Sequence, residues 1–267
     1  MTDFTSDRMK TETPETRPMA ATKTQRPDAE TLIRSSLYEV AYWVITVIAA
    51  LACTILALVP GRRLLGWGLQ MYGSAQVAAL KYVAGVHIQV RGRERLPAGP
   101  AVIAAKHQSW GDGFVMLSEI ARLGFVSGDH LLKFPLVGRI LRKAGAIVLS
   151  NQGGEEARAR LQEGIDSMLE DPRDLLIYPE GHLSAPGEMH RYRTGVWRLY
   201  DALQRPCTPV ATSLGLAWDR QSFIKRKGRV VVEFLDPIEP GMDKDAFMAK
   251  LESVIEARTN ALVGEGL

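Results

Sequence analysis

Cysteine is scarce in this chain. Two residues, Cys53 and Cys207, occur in 267, so there is no disulfide framework and a reducing compartment is expected. The five histidines, at 87, 107, 130, 182 and 190, fall into no ligand spacing, and no metal site is expected. No phosphate loop or dinucleotide fingerprint is present. No Gly-x-Ser-x-Gly elbow supplies a serine nucleophile. Net charge is a modest +3 and aromatics make up 7%. Without a basic, aromatic-interleaved module, nucleic acid is not an expected partner. There is also no internal repeat.

What the chain does have is one long apolar run behind a polar start. Residues 1–34 are rich in Thr, Pro and charges of both signs and read as a disordered tail. Leu37 to Val59 holds a single charge, Glu39; as a helix it would run about 35 Å, against about 30 Å for a hydrocarbon core. Tyr38, Tyr42 and Trp43 gather at one end, as interfacial aromatics do, and Pro60-Gly-Arg-Arg63 stops the run. Leu64 to Val83 mixes apolar residues with Gln70, Gln76 and Lys81 and reads as an amphipathic helix. Residues 35–85 are therefore expected to attach the chain to a bilayer, either as a spanning anchor or as a hairpin dipping into one leaflet. A signal peptide is not expected, since the run begins late and no cleavage site follows it.

From Val86 onward short apolar strands alternate with helical periods. Strands are predicted at 86–91, 101–105, 123–127, 146–149, 175–178, 208–213 and 230–235. Helices are predicted at 112–121, 135–143, 155–170, 194–204 and 243–264, the third with Ala157, Leu161, Ile165, Met168 and Leu169 on one face. The alternation predicts a single α/β domain over 86–267, with a mostly parallel or mixed sheet flanked by helices. The basic run Lys225-Arg-Lys-Gly-Arg229 reads either as a solvated loop or as a contact for anionic headgroups or an acidic carrier protein.

Two strand ends carry chemistry. Ala101-Val-Ile-Ala-Ala105 leads into His107-Gln-Ser-Trp-Gly-Asp112, and Leu175-Leu-Ile leads into Tyr178-Pro-Glu-Gly181. Open α/β sheets place their sites at such carboxyl ends. Five residues of ideal helix turn about 500°, which would hold the two side chains about 140° apart. A loop carrying His107 that enters a helix near Asp112 brings them together, with the carboxylate favoured at the helix start. The pair would be a general base and its orienting carboxylate; the plainer alternative is a surface histidine beside a capping aspartate.

These motifs resemble the PlsC-type glycerolipid acyltransferases, the family of the 1-acylglycerol-3-phosphate acyltransferases, over about residues 86–240. His107-Gln-Ser-Trp-Gly-Asp112 resembles the first family block, His-x4-Asp. Lys133-Phe-Pro-Leu-Val-Gly138 with Gly145-Ala-Ile-Val resembles the second, and Tyr178-Pro-Glu-Gly181 the third, Phe-Pro-Glu-Gly. Tyr192-Arg-Thr-Gly195 stands where Phe-Lys-x-Gly is frequent, and Pro209-Val-Ala211 is similar to the fourth block. The resemblance implies that His107 and Asp112 are catalytic, and that the nucleophile is the substrate's own hydroxyl, attacking an acyl thioester of acyl carrier protein or coenzyme A. No cofactor is implied. It implies substrate contacts for Glu180, Gly181 and Pro209, although Glu180 also reads as a structural ion-pair partner and Pro209 as a purely structural strand residue. Oxyanion donors would come from backbone N–H groups around Gly181 and a basic side chain such as Lys133. The catalytic domain would face the cytoplasm at the inner membrane.

Two departures bear on the acceptor. The family usually carries arginine at the end of its second block, where this chain has Ser150-Asn151, and Thr-Arg-Ser after Phe-Pro-Glu-Gly, where it has His182-Leu-Ser184. Asn and Leu cannot reproduce a guanidinium's two-pronged grip on phosphate. Arg191, Arg193, Lys133 or Arg139 would have to substitute. The expected acceptor is 1-acylglycerol-3-phosphate by resemblance, with a phosphate-free lyso-aminolipid of the lyso-ornithine type as the alternative. A catalytically idle lipid-binding homologue is the reading from another class.

Overall fold

The structure is a computed structural model that describes residues 27–128, 135–149 and 154–267. Its elements run α1 (Ala29–Leu56), α2 (Arg63–Ala79), β1 (Val86–Arg91), β2 (Val102–Ala105), α3 (Gly111–Glu119), β3 (Leu123–Gly128), α4 (Pro135–Ala144), β4 (Ile147–Leu149), α5 (Gly154–Glu170), β5 (Asp174–Ile177), α6 (Gly195–Leu203), β6 (Cys207–Thr212), α7 (Leu214–Ala217), β7 (Gly228–Phe234) and α8 (Lys244–Gly264). The predicted strands and domain helices are all found among the described residues, with ends shifted by a residue or two. The short α7 has no counterpart in the sequence reading.

The strands form one sheet in the order β1-β7-β6-β2-β5-β3-β4. Every neighbouring pair is parallel except β6 with β7, so the sheet is mixed, as expected. The central strand β2 is buried along its whole length. Its residues alternate between two cores, as the two-residue period of a strand requires. Ala101, Ile103 and Ala105 face the layer containing Tyr38, Val115 and Met116; Val102 and Ala104 face Ile165, Leu199 and Phe247. On α5, Leu161, Ile165 and Met168 are buried but Leu169 is 52% exposed, so the apolar stripe is narrower than its sequence suggested.

Residues 29–34 do not belong to a disordered tail. Asp28 caps α1 by accepting the Thr31 N–H at 2.8 Å, and such a cap offsets one orphan donor of the first turn. The helix therefore starts well ahead of the apolar run. Near its N-terminal end, Tyr38 is buried edge-on against Trp218. Near its C-terminal end, Cys53 and Leu56 pack with Leu65, Ile140 and Ala144. Lys225, read from sequence as part of a solvated or headgroup-binding run, is instead fully buried. It pairs with Glu39 and sits 5.0 Å from the Tyr38 ring and 4.7 Å from that of Trp218, pinning α1 to the domain. Opposite these contacts α1 leaves Val40, Val44, Val47, Ile48, Leu51 and Ile55 exposed.

The α2 helix closes on α3 where Gly73 has no side chain. A Cβ there would lie 2.7 Å from the Phe114 carbonyl oxygen and 2.9 Å from the Ser118 nitrogen, and backbone atoms cannot step aside. Gly73→Ala should therefore lower the unfolding midpoint. Its overpacking cost of about 1–3 kcal/mol outweighs the gain of about 1 kcal/mol in helix propensity. A raised midpoint in thermal unfolding would mean that the two helices separate at little cost.

Candidate active site

Three adjacent parallel strands, β6, β2 and β5, bring their C-terminal ends to one place. His107 follows β2, Tyr178 follows β5 and Thr212 ends β6. The chain leaves β2 as a loop and enters α3 at Gly111, so Asp112 stands in the first helical turn. As the spacing predicts, this puts the two side chains together: His107 Nδ1 lies 3.3 Å from Asp112 Oδ2.

Asp112 is held as firmly as it holds. Its Oδ2 accepts the backbone N–H groups of Gln108 at 2.7 Å and Ser109 at 2.8 Å. Its Oδ1 accepts the Thr212 hydroxyl at 3.3 Å. The carboxylate is buried, whereas His107 keeps 19% of its side-chain surface. Tyr178 lies flat on the imidazole, with ring centroids 3.8 Å apart and planes 15° apart. The Tyr178 hydroxyl is buried with no hydrogen-bond partner among the described residues. Burial, with the Asp112 charge adding to it, raises its pKa far above the ordinary value, so it stays neutral. With Nδ1 turned to a carboxylate, the imidazole has Nε2 available to accept a proton.

Glu180 is buried and committed elsewhere. It pairs with Lys106 at 3.1 Å and accepts the His190 N–H at 2.7 Å and the Ser184 hydroxyl at 3.3 Å. Lys106, fully buried, also binds Glu256 on α8 at 2.8 Å. These contacts match the other reading of Glu180, an ion pair at a strand end, with lysine as the partner. The Ser184 N–H returns to the His107 carbonyl at 2.9 Å, so this network ties the two motif loops together.

The remaining expected residues divide. Gly181 takes a left-handed φ of +69°, and a Cβ there would lie 2.9 Å from Arg193 Nε. The Gly181 N–H is used within the loop, donating to the Tyr178 carbonyl at 2.9 Å, so it is not a spare oxyanion donor. Arg193 is exposed and donates to His182 Nε2 at 2.9 Å. Arg191 is exposed nearby, and Arg139 is exposed on α4. Pro209 is buried inside β6 opposite Ala104, a strand position and not a surface one. Lys133, Ser150 and Asn151 lie outside the described residues.

A cleft of about 620 Å³ opens here, lined by His182, Leu183, Asp219, Arg220, Gln221 and Ser222. Arg220 was not legible as a site residue. Its N–H donates to the Gln108 carbonyl at 2.8 Å, and its carbonyl accepts the Trp110 N–H at 3.1 Å. It holds a left-handed φ of 49°, an unfavourable conformation for a residue with a side chain and one that concentrates at functional sites. Asp219 sits beside it, Oδ1 3.3 Å from Arg220 Nε. Leu183 lines this cleft at the position where the resemblance leads one to expect arginine.

The sequence model of the acyltransferase family matches residues 87–213. A 1-acyl-sn-glycerol-3-phosphate acyltransferase of Pseudomonas aeruginosa is 28% identical over 69% of this chain and 70% of its own. A lyso-ornithine lipid O-acyltransferase of Rhodobacter capsulatus is 33% identical, over 37% of this chain and 34% of its own. The crystal structure of the 1-acyl-sn-glycerophosphate acyltransferase PlsC from Thermotoga maritima shares the fold with a TM-score of 0.72. It is 19% identical, covering 86% of this chain and 96% of that one.

The orphaned Tyr178 hydroxyl gives a direct test. Tyr178→Phe keeps the stack on His107 and removes a buried group that bonds to nothing described. The variant should hold its activity and be as stable or about 1 kcal/mol more stable, read from turnover and thermal unfolding. A tenfold loss of turnover would assign the hydroxyl a part in the chemistry.

Proposed function

We propose that this chain, whose residues 87–213 match the sequence model of the acyltransferase family, moves a fatty acyl group from an acyl thioester to the hydroxyl of a lysolipid at a membrane surface. The observation that carries the proposal is the His107–Asp112 contact inside a carboxylate cradle. In this reading His107 Nε2 takes the proton of the acceptor hydroxyl as its oxygen forms a bond to the thioester carbonyl carbon. The carbon–sulfur bond then breaks, and the departing sulfur receives the proton from the imidazolium. Asp112 fixes the tautomer and stabilises the imidazolium. The carrier of the thiol is coenzyme A or acyl carrier protein, and no cofactor enters. The proposed oxyanion donors are the N–H groups of His182 and Leu183, which no described residue takes up, in place of that of Gly181. A general base is worth roughly 10²–10⁴ in rate, and each aligned oxyanion donor roughly 10²–10³.

The apolar hairpin supports membrane attachment. One helix, Ala29–Leu56, is long and apolar enough to cross a bilayer. Both of its ends, however, pack on the domain, through Tyr38 and through Cys53. A helix sheathed along one side by a polar domain favours lying in a single leaflet, with its exposed face in the acyl region. The catalytic domain then faces the compartment that makes the thioester, the cytoplasm, at the inner membrane.

For the acceptor, similarity to the Pseudomonas enzyme favours 1-acylglycerol-3-phosphate, its phosphate reaching Arg220 in the cleft beside His107. Arg193, bound to His182, would add a second cation. A second reading, a phosphate-free lyso-aminolipid, is favoured by one observation: Leu183 and Asp219 line that cleft, one unable to bind phosphate and the other repelling it.

His107→Ala should lower turnover by roughly 10²–10⁴ while the protein still sediments with membranes, and undiminished turnover would end the general-base assignment. For the headgroup, the protein is given an acyl thioester with lysophosphatidic acid and a lyso-aminolipid together, and the diacyl product is identified by mass. Phosphatidic acid is the expected product. Leu183→Arg should raise the preference for the phosphate acceptor further, and an unchanged preference would remove Leu183 from the argument.

A further inference from the structure

At the opposite end of the sheet, where β3, β4 and β5 begin, a second cleft of about 600 Å³ lies beneath the α1–α2 turn. Five cations line it: Arg62 and Arg63 from the turn, Arg122 before β3, and Arg142 and Lys143 at the end of α4. One carboxylate, Asp171, answers them, and it is already engaged. Arg62 holds it at 2.9 Å, Arg122 at 2.5 Å and the buried Arg173 at 3.3 Å. Among the described residues no carboxylate pairs with Arg63, Arg142 or Lys143. Positive charge is therefore in excess. Burial first, and then the neighbouring Arg62, lower the Arg173 guanidinium to about 10. The cleft is also the entry to α2, whose cap position, Arg62, makes no side-chain capping bond. The first N–H groups of this helix thus add their dipole to the cationic surroundings.

Apolar side chains frame the same turn. Leu58 is 67% exposed, Leu64 51% and Trp67 60%. They follow the exposed apolar residues of α1 along the chain, so in the membrane reading the charge sits beside apolar surface at the headgroup level. A free anion would need only the cations; a ligand matching both features carries a phosphate on an apolar tail. We propose that this cleft binds the headgroup phosphate of an anionic membrane phospholipid, whose acyl chains lie against the outer face of the hairpin. The site is separate from the acceptor cleft, which opens at the carboxyl ends of the strands. The proposal rests on the membrane reading of the hairpin and goes beyond it, because attachment through the apolar face alone would not depend on lipid charge.

The test uses the full chain and sedimentation with vesicles of phosphatidylcholine, with or without phosphatidylglycerol. A triple variant, Arg63→Gln, Arg142→Gln and Lys143→Gln, is compared with a charge-matched control, Arg198→Gln, Lys244→Gln and Lys250→Gln, all exposed on α6 and α8. Thermal unfolding checks that both remain folded. A basic side chain near an anionic surface is worth about fivefold in affinity. The cleft variant should therefore lose tenfold or more in binding to anionic vesicles while its binding to neutral ones is kept, and the control should lose little. Equal losses in both variants would mean diffuse attraction by net charge and overturn the site, as would an unchanged cleft variant. Displacement of the wild type by millimolar inorganic phosphate would make it a free-anion site instead. A cleft variant that binds vesicles normally but turns over acyl carrier protein thioesters poorly would reassign the surface to that acidic protein. If the wild type bound no vesicles, the membrane reading would fall and the site with it; binding to neutral vesicles alone would overturn the site and spare the hairpin.

Discussion

The geometry at the strand ends depends on a single carboxylate oxygen. Asp112 Oδ2 accepts two successive backbone N–H groups, those of Gln108 and Ser109, while facing His107 Nδ1. An imidazole at the tip of a free loop would sample many rotamers, and ordering it would cost entropy at every encounter with substrate. Here the loop is wrapped around the group that orients the ring. The same oxygen closes the turn and faces the ring. This is possible because β2 ends two residues before His107 and α3 begins one residue before Asp112. Moving either boundary by a residue would send the carboxylate to another face of the helix.

Around that loop the structure uses buried charge where an apolar contact would have been less costly to make. Lys106, next to His107 in the chain, is withdrawn from water to meet Glu180 and Glu256, and Tyr192 donates to Glu256 at 2.8 Å. A buried ion pair is weak evidence of net stabilisation, because desolvation offsets most of its attraction. It is, however, directional. One ammonium fixes the end of β2, the loop after β5 and α8 relative to one another. Both Glu180 oxygens are thereby engaged within the protein, Oε1 by Lys106 and Ser184 and Oε2 by the His190 N–H.

The parts of this arrangement that could be read in the sequence are the local ones. Two- and 3.6-residue periods mark the strands and domain helices, and the His-x4-Asp spacing is incompatible with a continuous helix that joins the two side chains. What stayed hidden depends on partners far apart in the chain. Lys106 and Glu256 are 150 residues apart, and no pattern in the sequence joins them. Arg220 is held beside the His107 loop because its backbone pairs with Gln108 and Trp110, a contact with no side-chain signature. The buried Lys225 looked like one of a basic run because its partners, Glu39 and the rings of Tyr38 and Trp218, come from elsewhere. The start of α1 differs for another reason: the cap at Asp28 is a local contact, but it stands in a stretch whose polar composition resembles that of a disordered tail.

The hairpin and the site are mechanically close. On one side α2 meets α3 with no side chain at Gly73 between them, and α3 is the nine-residue helix whose first turn carries Asp112. On the other, α1 is pinned by Lys225, a few residues beyond the Asp219–Arg220 edge of the cleft. In the proposed function a lysolipid presents its hydroxyl near headgroup depth, and a domain on a loose tether would meet it in many orientations. Packing the apolar helices directly onto the elements that hold His107 and the cleft removes that freedom. Under the proposed function, the same short connections would make the depth of the hairpin in the bilayer a determinant of where the imidazole stands relative to the hydroxyl.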